Sequence, residues 1–285
     1  MKIEIRQVEN TKGIYEYMTN SAFPYNYKPD YKTWEKSYLY DVDGNGKTLF
    51  SELKTKGAYY GNELIGFIQY GKTAFGFDDS GEISDTVSCR VIRNFFFPED
   101  NAEVGDILIK EALNELSAKT PGRIYAFFHY FGMSCYARHG KLYEKFSHIH
   151  ELLLKNGFQT EHENVFYSST LNSECKTAVR LEWHNETVGG QRYCDFLLDN
   201  ATVGGCEVHF LELSNTAYLR WIFTNEELRG NGIGTMCMEA LRSDLFKKGI
   251  TRFDTDTALT NTIAQHYYDK NGFINEGLTR SYFKD

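Results

Sequence analysis

The first eight residues, Met1–Val8, alternate apolar and polar positions, the period of a half-buried strand. Thr11–Ser21 and Tyr31–Tyr40 change to helical spacing, and AFPYNYKPD between them is a loop. KGAYYGNELIGFIQYG is a hairpin turning at Gly61-Asn62, because both residue types reach the left-handed region at little cost. VSCRVIRNFFF is a further strand. NAEVGDILIKEALNELSAK puts Val104, Ile107, Leu108, Leu113 and Leu116 on one helical face. RIYAFFHYF reads as an apolar strand, and GKLYEKFSHIHELLLKNGF as a helix closed by a left-handed Gly157.

The second half replays this order. AVRLEWHNE is a strand, RYCDFLLDNATVGGCEVHFLEL a hairpin turning near Asn200, and AYLRWIFT a strand. GIGTMCMEALRSDLFKKG is a helix, ITRFDTDT a strand, NTIAQHYYDKNGF a helix closed by Gly272, and LTRSYFKD a last strand. Three strings anchor the repeat in order. GNELIG (Gly61–Gly66) faces DNATVG (Asp199–Gly204), EAL at Glu111–Leu113 faces EAL at Glu239–Leu241, and KNGF at Lys155–Phe158 faces KNGF at Lys270–Phe273. An internal duplication accounts for them, with its boundary in the polar STLNSECK. The expected fold is α/β, in two tandem domains, 1–170 and 171–285. One asymmetry stands out. The first copy has two helices before its hairpin, whereas the second has only HNETVGGQ there, too short for a helix.

Composition narrows the function. The 285 residues are 41% hydrophobic and 25% charged, a soluble globular balance. No apolar run reaches the length of a membrane-spanning helix, and the N-terminus has no secretory apolar core. The cysteines (Cys89, Cys135, Cys175, Cys194, Cys206 and Cys237) are scattered without a CxxC pair. They read as thiols of a reducing cytoplasm and not as a disulfide frame or zinc site. A net charge of −8 disfavours a nucleic-acid partner and suits a cationic or neutral substrate.

The strongest local signal is WIFTNEELRGNGIGTMCMEAL, a strand, a glycine-rich turn and a helix. Glycines let backbone approach a ligand closely. Free amides at a helix start, with the positive dipole end, suit an anion such as a phosphate. The pattern is not a Walker A loop, since no Lys-Ser or Lys-Thr follows the last glycine, and the GxGxxG spacing is missing. It is RxxGxG, and here the chain resembles the GNAT superfamily of acyl-CoA-dependent N-acyltransferases. That family's motif Arg/Gln-x-x-Gly-x-Gly/Ala is matched by Arg229, Gly232 and Gly234. Its downstream pattern Asn-x-x-Ala-x-x-x-Tyr-x-x-x-Gly-Phe is matched by Asn261, Ala264, Tyr268, Gly272 and Phe273. The resemblance is specific over about 194–285 and architectural over the first half, and it implies that each domain is a mostly antiparallel mixed sheet flanked by helices.

The resemblance implies acetyl-CoA as cosubstrate, a small-molecule or peptide amine as acceptor, and no metal; an oligomer is compatible with it. The turn of Arg229, Gly230, Asn231, Gly232, Ile233, Gly234 and Thr235 would hold the pyrophosphate through its backbone amides. The backbone of Ile222, Phe223 and Thr224 would pair with the pantetheine arm like an added strand, and an amide of that strand would meet the oxyanion. Asn261 would bond the pantetheine, and Tyr268 would protonate the leaving thiolate. The base stays open among Glu212, Glu226, Asp256 and a water-mediated path. A non-catalytic acyl-CoA-binding or regulatory protein on the same scaffold is the alternative.

The first copy lacks this equipment. Asn101, Val104 and Asp106 stand for Arg229, Gly232 and Gly234, while Phe146 and Leu153 stand for Asn261 and Tyr268. One working site, in the second half, is expected. In the family fold the two early helices wall the acceptor site, so the first domain or a second subunit would cover that side, and deleting residues 1–170 should abolish transfer. A separate motif, DVDGNGKTLFSE, fits a calcium loop through Asp41, Asp43, Asn45, Gly46 and Glu52. A calcium-linked interaction protein would use it, but turn chemistry favours a plain polar turn between helix and strand.

Overall fold

The structure, a computed structural model, describes every residue except 1, 79, 118–122, 186, 188 and 189, and of Glu212 the backbone alone. Contacts divide it into two units: Met1–Val42 with Lys47–Glu163 and Thr279–Asp285, and Asp43–Gly46 with Asn164–Leu278.

The first unit runs β1 (Glu4–Gln7), α1 (Lys12–Asn20), α2 (Tyr31–Tyr40), β2 (Phe50–Tyr60), β3 (Glu63–Thr73), β4 (Gly76–Phe77), β5 (Ile83–Ser84), β6 (Arg90–Phe96), α3 (Ala102–Ser117), β7 (Ile124–Ala126), β8 (Leu142–Tyr143), α4 (Ser147–Lys155) and the start of β9 (Gln159–Thr170). Its strands follow the order β1-β2-β3-β6-β7, antiparallel except for the parallel β6–β7 pair. Asp30 caps α2 by accepting from Thr33 N at 3.0 Å, which satisfies an otherwise orphaned amide. Trp34 and Tyr38 of α2 are fully buried, with rings stacked 4.5 Å apart.

Two apolar runs behave differently from their hydropathy. RIYAFFHYF forms only three residues of strand, because Phe127 takes φ 53° and leaves the sheet. GKLYEKFSHIHELLLKNGF splits into β8 and a shorter α4, ending at Gly157 with φ 82° as expected.

The second unit contains the rest of β9, then β10 (Arg180–Trp183), β11 (Gln191–Leu198), β12 (Ala201–Leu211), β13 (Thr216–Thr224), α5 (Ile233–Lys247), β14 (Arg252–Ala258), α6 (Thr262–Lys270) and the start of β15 (Ile274–Lys284). The strand order is β9-β14-β13-β12-β11-β10, with β13 and β14 parallel. The β11–β12 hairpin turns on Asp199 and Asn200, both with positive φ, as a tight hairpin requires. α5 lays Cys237, Met238, Leu241 and Leu245 onto Val208, Leu219 and Phe253 of the sheet. Each such buried side chain contributes about 1.5–3 kcal/mol. α5 ends where Gly249 takes φ 81°. Among the described residues no helix is long and apolar enough to cross a membrane.

The division differs from a cut between 170 and 171 for a hydrogen-bonding reason. Asn164 to Thr170 of β9 pair along β14. At the chain's end, Tyr282, Phe283 and Lys284 of β15 pair with Ala126, Tyr125 and Ile124 of β7. Each unit thus takes a strand segment from the part of the chain expected to form the other.

Candidate active site

The second unit's site begins where two strands part. The β13–β14 register runs from Thr216↔Arg252 to Leu219↔Thr255 and stops, although β13 continues to Thr224. A bulge redirects β13: Val208 faces Leu219 and Glu207 faces Trp221, leaving Arg220 as the extra residue. Beyond it Ile222, Phe223 and Thr224 still pair with Cys206, Gly205 and Gly204. Gly204 permits this close approach, since a Cβ there would lie 2.2 Å from the Phe223 carbonyl oxygen. On the other edge of 220–224 no described strand pairs, so an extended ligand can add there as a strand does.

A short 3-10 turn, Glu226–Leu228, leads into α5. Gly230 and Gly232 have φ 82° and 81°, and a Cβ on either would meet nothing within 4 Å. Conformation demands glycine at both, and the space above them is open. Gly232 is the left-handed N-cap of α5 and has no side chain to accept from the first-turn amides. Those amides sit at the positive end of the helix dipole and suit an anionic group. Gly234 answers a different need. A Cβ there would stand 3.4 Å from Tyr267 Cε2, and the Tyr267 hydroxyl donates to the Gly234 carbonyl at 2.7 Å. Tyr267 so pins the first turn of α5 to α6, a role no sequence signal announces. Arg229 folds back, its Nη1 reaching Glu226 Oε1 at 3.2 Å and its Nε donating to the Thr224 carbonyl at 3.3 Å. It braces the turn.

Tyr268 lies at the fork. It is 5% exposed and packs against the rings of Tyr167 and Phe273. Burial raises its pKa, the neighbouring Thr255 hydroxyl opposes the shift, and the charge of Asp256 adds to it. The phenol therefore stays protonated and able to donate. Thr255 belongs to the last β13–β14 pair and donates to the Leu219 carbonyl at 3.0 Å. Asn261 caps α6, its Oδ1 accepting from Ala264 N at 3.1 Å, which leaves its Nδ2 available as a donor.

The candidate bases separate. Glu226 has an 85% exposed side chain that faces Arg229. The side chain of Glu212 lies outside the described residues. Asp256 is half-buried and follows Thr255 at the fork, and its Oδ1 accepts from the Tyr218 hydroxyl. The calcium-loop candidate has other chemistry. The Asp41 carboxylate is buried and accepts from Arg93 Nη2 at 2.6 Å and from Ser134 N at 2.9 Å. Asp43 Oδ1 accepts from Asn45 N at 2.9 Å, an Asx turn. Among the described residues no group of three or more His, Cys, Asp or Glu is placed to hold a metal ion.

Residues 149–273 match the model of the Acetyltransferase (GNAT) family. That stretch is similar to the GNAT family, and the fold of the chain as a whole is similar to that of a tandem GNAT protein. A tandem GNAT protein from the clavulanic acid biosynthesis pathway is similar over 99% of this chain and 98% of its own, with TM-score 0.66 and 10% identity. A GCN5-related N-acetyltransferase from Sphaerobacter thermophilus is similar over 99% and 95%, with TM-score 0.64 and 8% identity. A GCN5-related glucosamine N-acetyltransferase region of a fungal multi-domain β-N-acetylglucosaminidase is similar over 99% of this chain and 38% of that one, with TM-score 0.66 and 10% identity. At these identities the likeness is one of fold.

Proposed function

We propose that the protein is an N-acetyltransferase that moves the acetyl group of acetyl-CoA to a primary amine by direct attack, at the fork of the second unit. One juxtaposition carries this reading. The phenol of Tyr268 stands beside the last β13–β14 pair, and the glycine turn opening α5 follows β13 directly. The residues fit the cosubstrate. Gly230 and Gly232 leave room for a pyrophosphate over the amides of 230–235. The free edge of Ile222, Phe223 and Thr224 suits the pantetheine amides, with Asn261 Nδ2 as a further donor. Tyr268 supplies the proton that the departing sulfur needs. Residues 171–285 hold this machinery, and 1–170 do not catalyse.

Calorimetry with acetyl-CoA, followed by thiol release in the presence of glucosamine, spermidine or phenethylamine, tests the reading. Glucosamine earns its place because one protein of similar fold acts on it. Binding with turnover on at least one amine is expected. Absence of acetyl-CoA binding would sink the reading, while binding without turnover would favour the non-catalytic acyl-CoA-binding alternative.

A further inference from the structure

We propose that Asp256 is the general base of this transfer and Tyr218 its positioning residue, so that acid and base reach the reacting atoms from opposite faces of the sheet. The assignment rests on the acetyl-transfer reading above. Successive strand residues face opposite sides. On β14, Phe253 belongs to the core beneath α5 and α6, and Thr255 reaches Tyr268 of α6. Asp256, the next residue, faces away from that core. It is also the first residue of β14 past the last pair with β13, which places it at the fork itself.

Its surroundings suit the task. Phe166 is its cross-strand neighbour on β9, and the Tyr218 ring stacks with Phe166 at 6.3 Å. From there the Tyr218 hydroxyl donates to Asp256 Oδ1. Tyr218 from β13 and Tyr268 from α6 are among the titratable groups that act on this carboxyl, and on its own face of β14 the buried Asp254 pairs with Arg252 at 2.8 Å. Asp256 is half-buried, so it is held yet open to a solute. Glu207, a carboxylate at the bulge, accepts from Trp221 Nε1 at 2.9 Å and stands 3.8 Å from Arg220 Nε.

The step balances without any further reagent. The free amine's lone pair forms the C–N bond, and Asp256 takes the proton that the newly acidic nitrogen sheds. The C–S bond breaks, and Tyr268 gives its phenolic proton to the leaving sulfur. Once products depart, protonated Asp256 and the phenolate are reset by transfer of one proton through water.

The test uses the full chain with glucosamine, spermidine and phenethylamine as probe acceptors. Asp256→Asn should lower kcat about 100-fold, the lower end for loss of a general base, with its acetyl-CoA Kd by calorimetry unchanged. Asp256→Glu, which keeps a carboxylate, should recover part of the rate. Tyr218→Phe removes a donor to the ionised carboxylate, so the acidic limb of kcat/KM should move to higher pH. Wild-type kcat in Asp256→Asn overturns the assignment while leaving the acetyl-transfer reading intact. A slower Tyr218→Phe with an unmoved acidic limb overturns the positioning role. A wild-type chain that binds no acetyl-CoA brings down both readings.

Discussion

The two units build the same fork and use it oppositely. In the first, β6 and β7 are parallel as far as Ile92↔Ala126. A bulge then leaves Arg93 as the extra residue, since Tyr70 faces Ile92 and Gln69 faces Asn94. These points fix the correspondence: Arg93 stands for Arg220, Val91 for Tyr218, Phe127 for Asp256 and Phe96 for Phe223. In the KNGF alignment Leu153 stands for Tyr268. The places of Tyr218, Asp256, Asn261 and Tyr268 in one fork are all apolar in the other. Phe96 is 3% exposed where Phe223 is 48%. Its ring lies 6.1 Å from Phe127 and 5.3 Å from Phe146, the residue in the place of Asn261. Val104 stands in the place of Gly232 and is fully buried. The cavity remaining beside Phe96 and Phe127 is about 10 Å³, room for one water at most. A fork becomes a site when its opening is left unfilled; aromatic side chains convert the same frame into core.

The largest effect that could break this comparison is on chemistry. Tyr268→Phe keeps the ring packing and removes the acid, so kcat should fall about 10²–10³-fold with acetyl-CoA affinity retained. Full activity in that variant would leave the second fork without its acid. Because burial and Asp256 hold the phenol's pKa above its ordinary value, wild-type kcat should show no loss on the alkaline side through the usual tyrosine range. Leu153→Ala, the same position in the first unit, should instead cost about 2–5 kcal/mol of stability as a cavity, seen in a denaturant melt, with acetyl-CoA affinity unchanged.

Next in size is the first unit's buried pair. The side chains of Arg93 and Asp41 are 1% and 2% exposed. Asp41→Ala leaves the guanidinium uncompensated and should cost about 3–5 kcal/mol. If Asp41 served calcium instead, calcium would stabilise the wild type; a melt with and without the ion decides. Smaller again is Gly232→Ala. Alanine at φ 81° costs about 1–2 kcal/mol, so acetyl-CoA affinity should weaken about 5- to 30-fold. An unchanged Kd would mean that the turn does not seat the cosubstrate.

Much of this was legible in the sequence because local chemistry sets it. Glycines past helix ends, Asp199-Asn200 in the hairpin and the periodic faces of α3 and α5 all report on their own neighbourhoods. What escaped depends on distant partners. Nothing local in RIYAFFHYF says that Phe127 leaves the sheet to plug a fork. Tyr267 and Tyr218 are two among 20 tyrosines until the fold brings Gly234 and Asp256 to them. The strand exchange is equally non-local, and it alters one expectation. Deleting residues 1–170 also strips Asn164 to Thr170 from β14, so a fragment 171–285 loses a core-lining strand and its failure would say nothing about the acceptor side.

The smallest expected effect sharpens the fork by exclusion. Glu226 opens the 3-10 turn between β13 and α5, a position that makes it a candidate base. Its side chain is 85% exposed, and it pairs with the exposed Arg229. An exposed ion pair of this kind contributes less than about 1 kcal/mol, screened further by salt. Glu226→Gln should therefore leave kcat within about threefold of wild type and its pH profile unmoved. Removing the carboxylate also frees Arg229 Nη1, so a modest tightening of acetyl-CoA, itself anionic, is the expected direction. A loss of kcat comparable to that of Asp256→Asn would move the base from the strand fork to the turn, and the contrast with Phe127 in the first unit would lose its meaning.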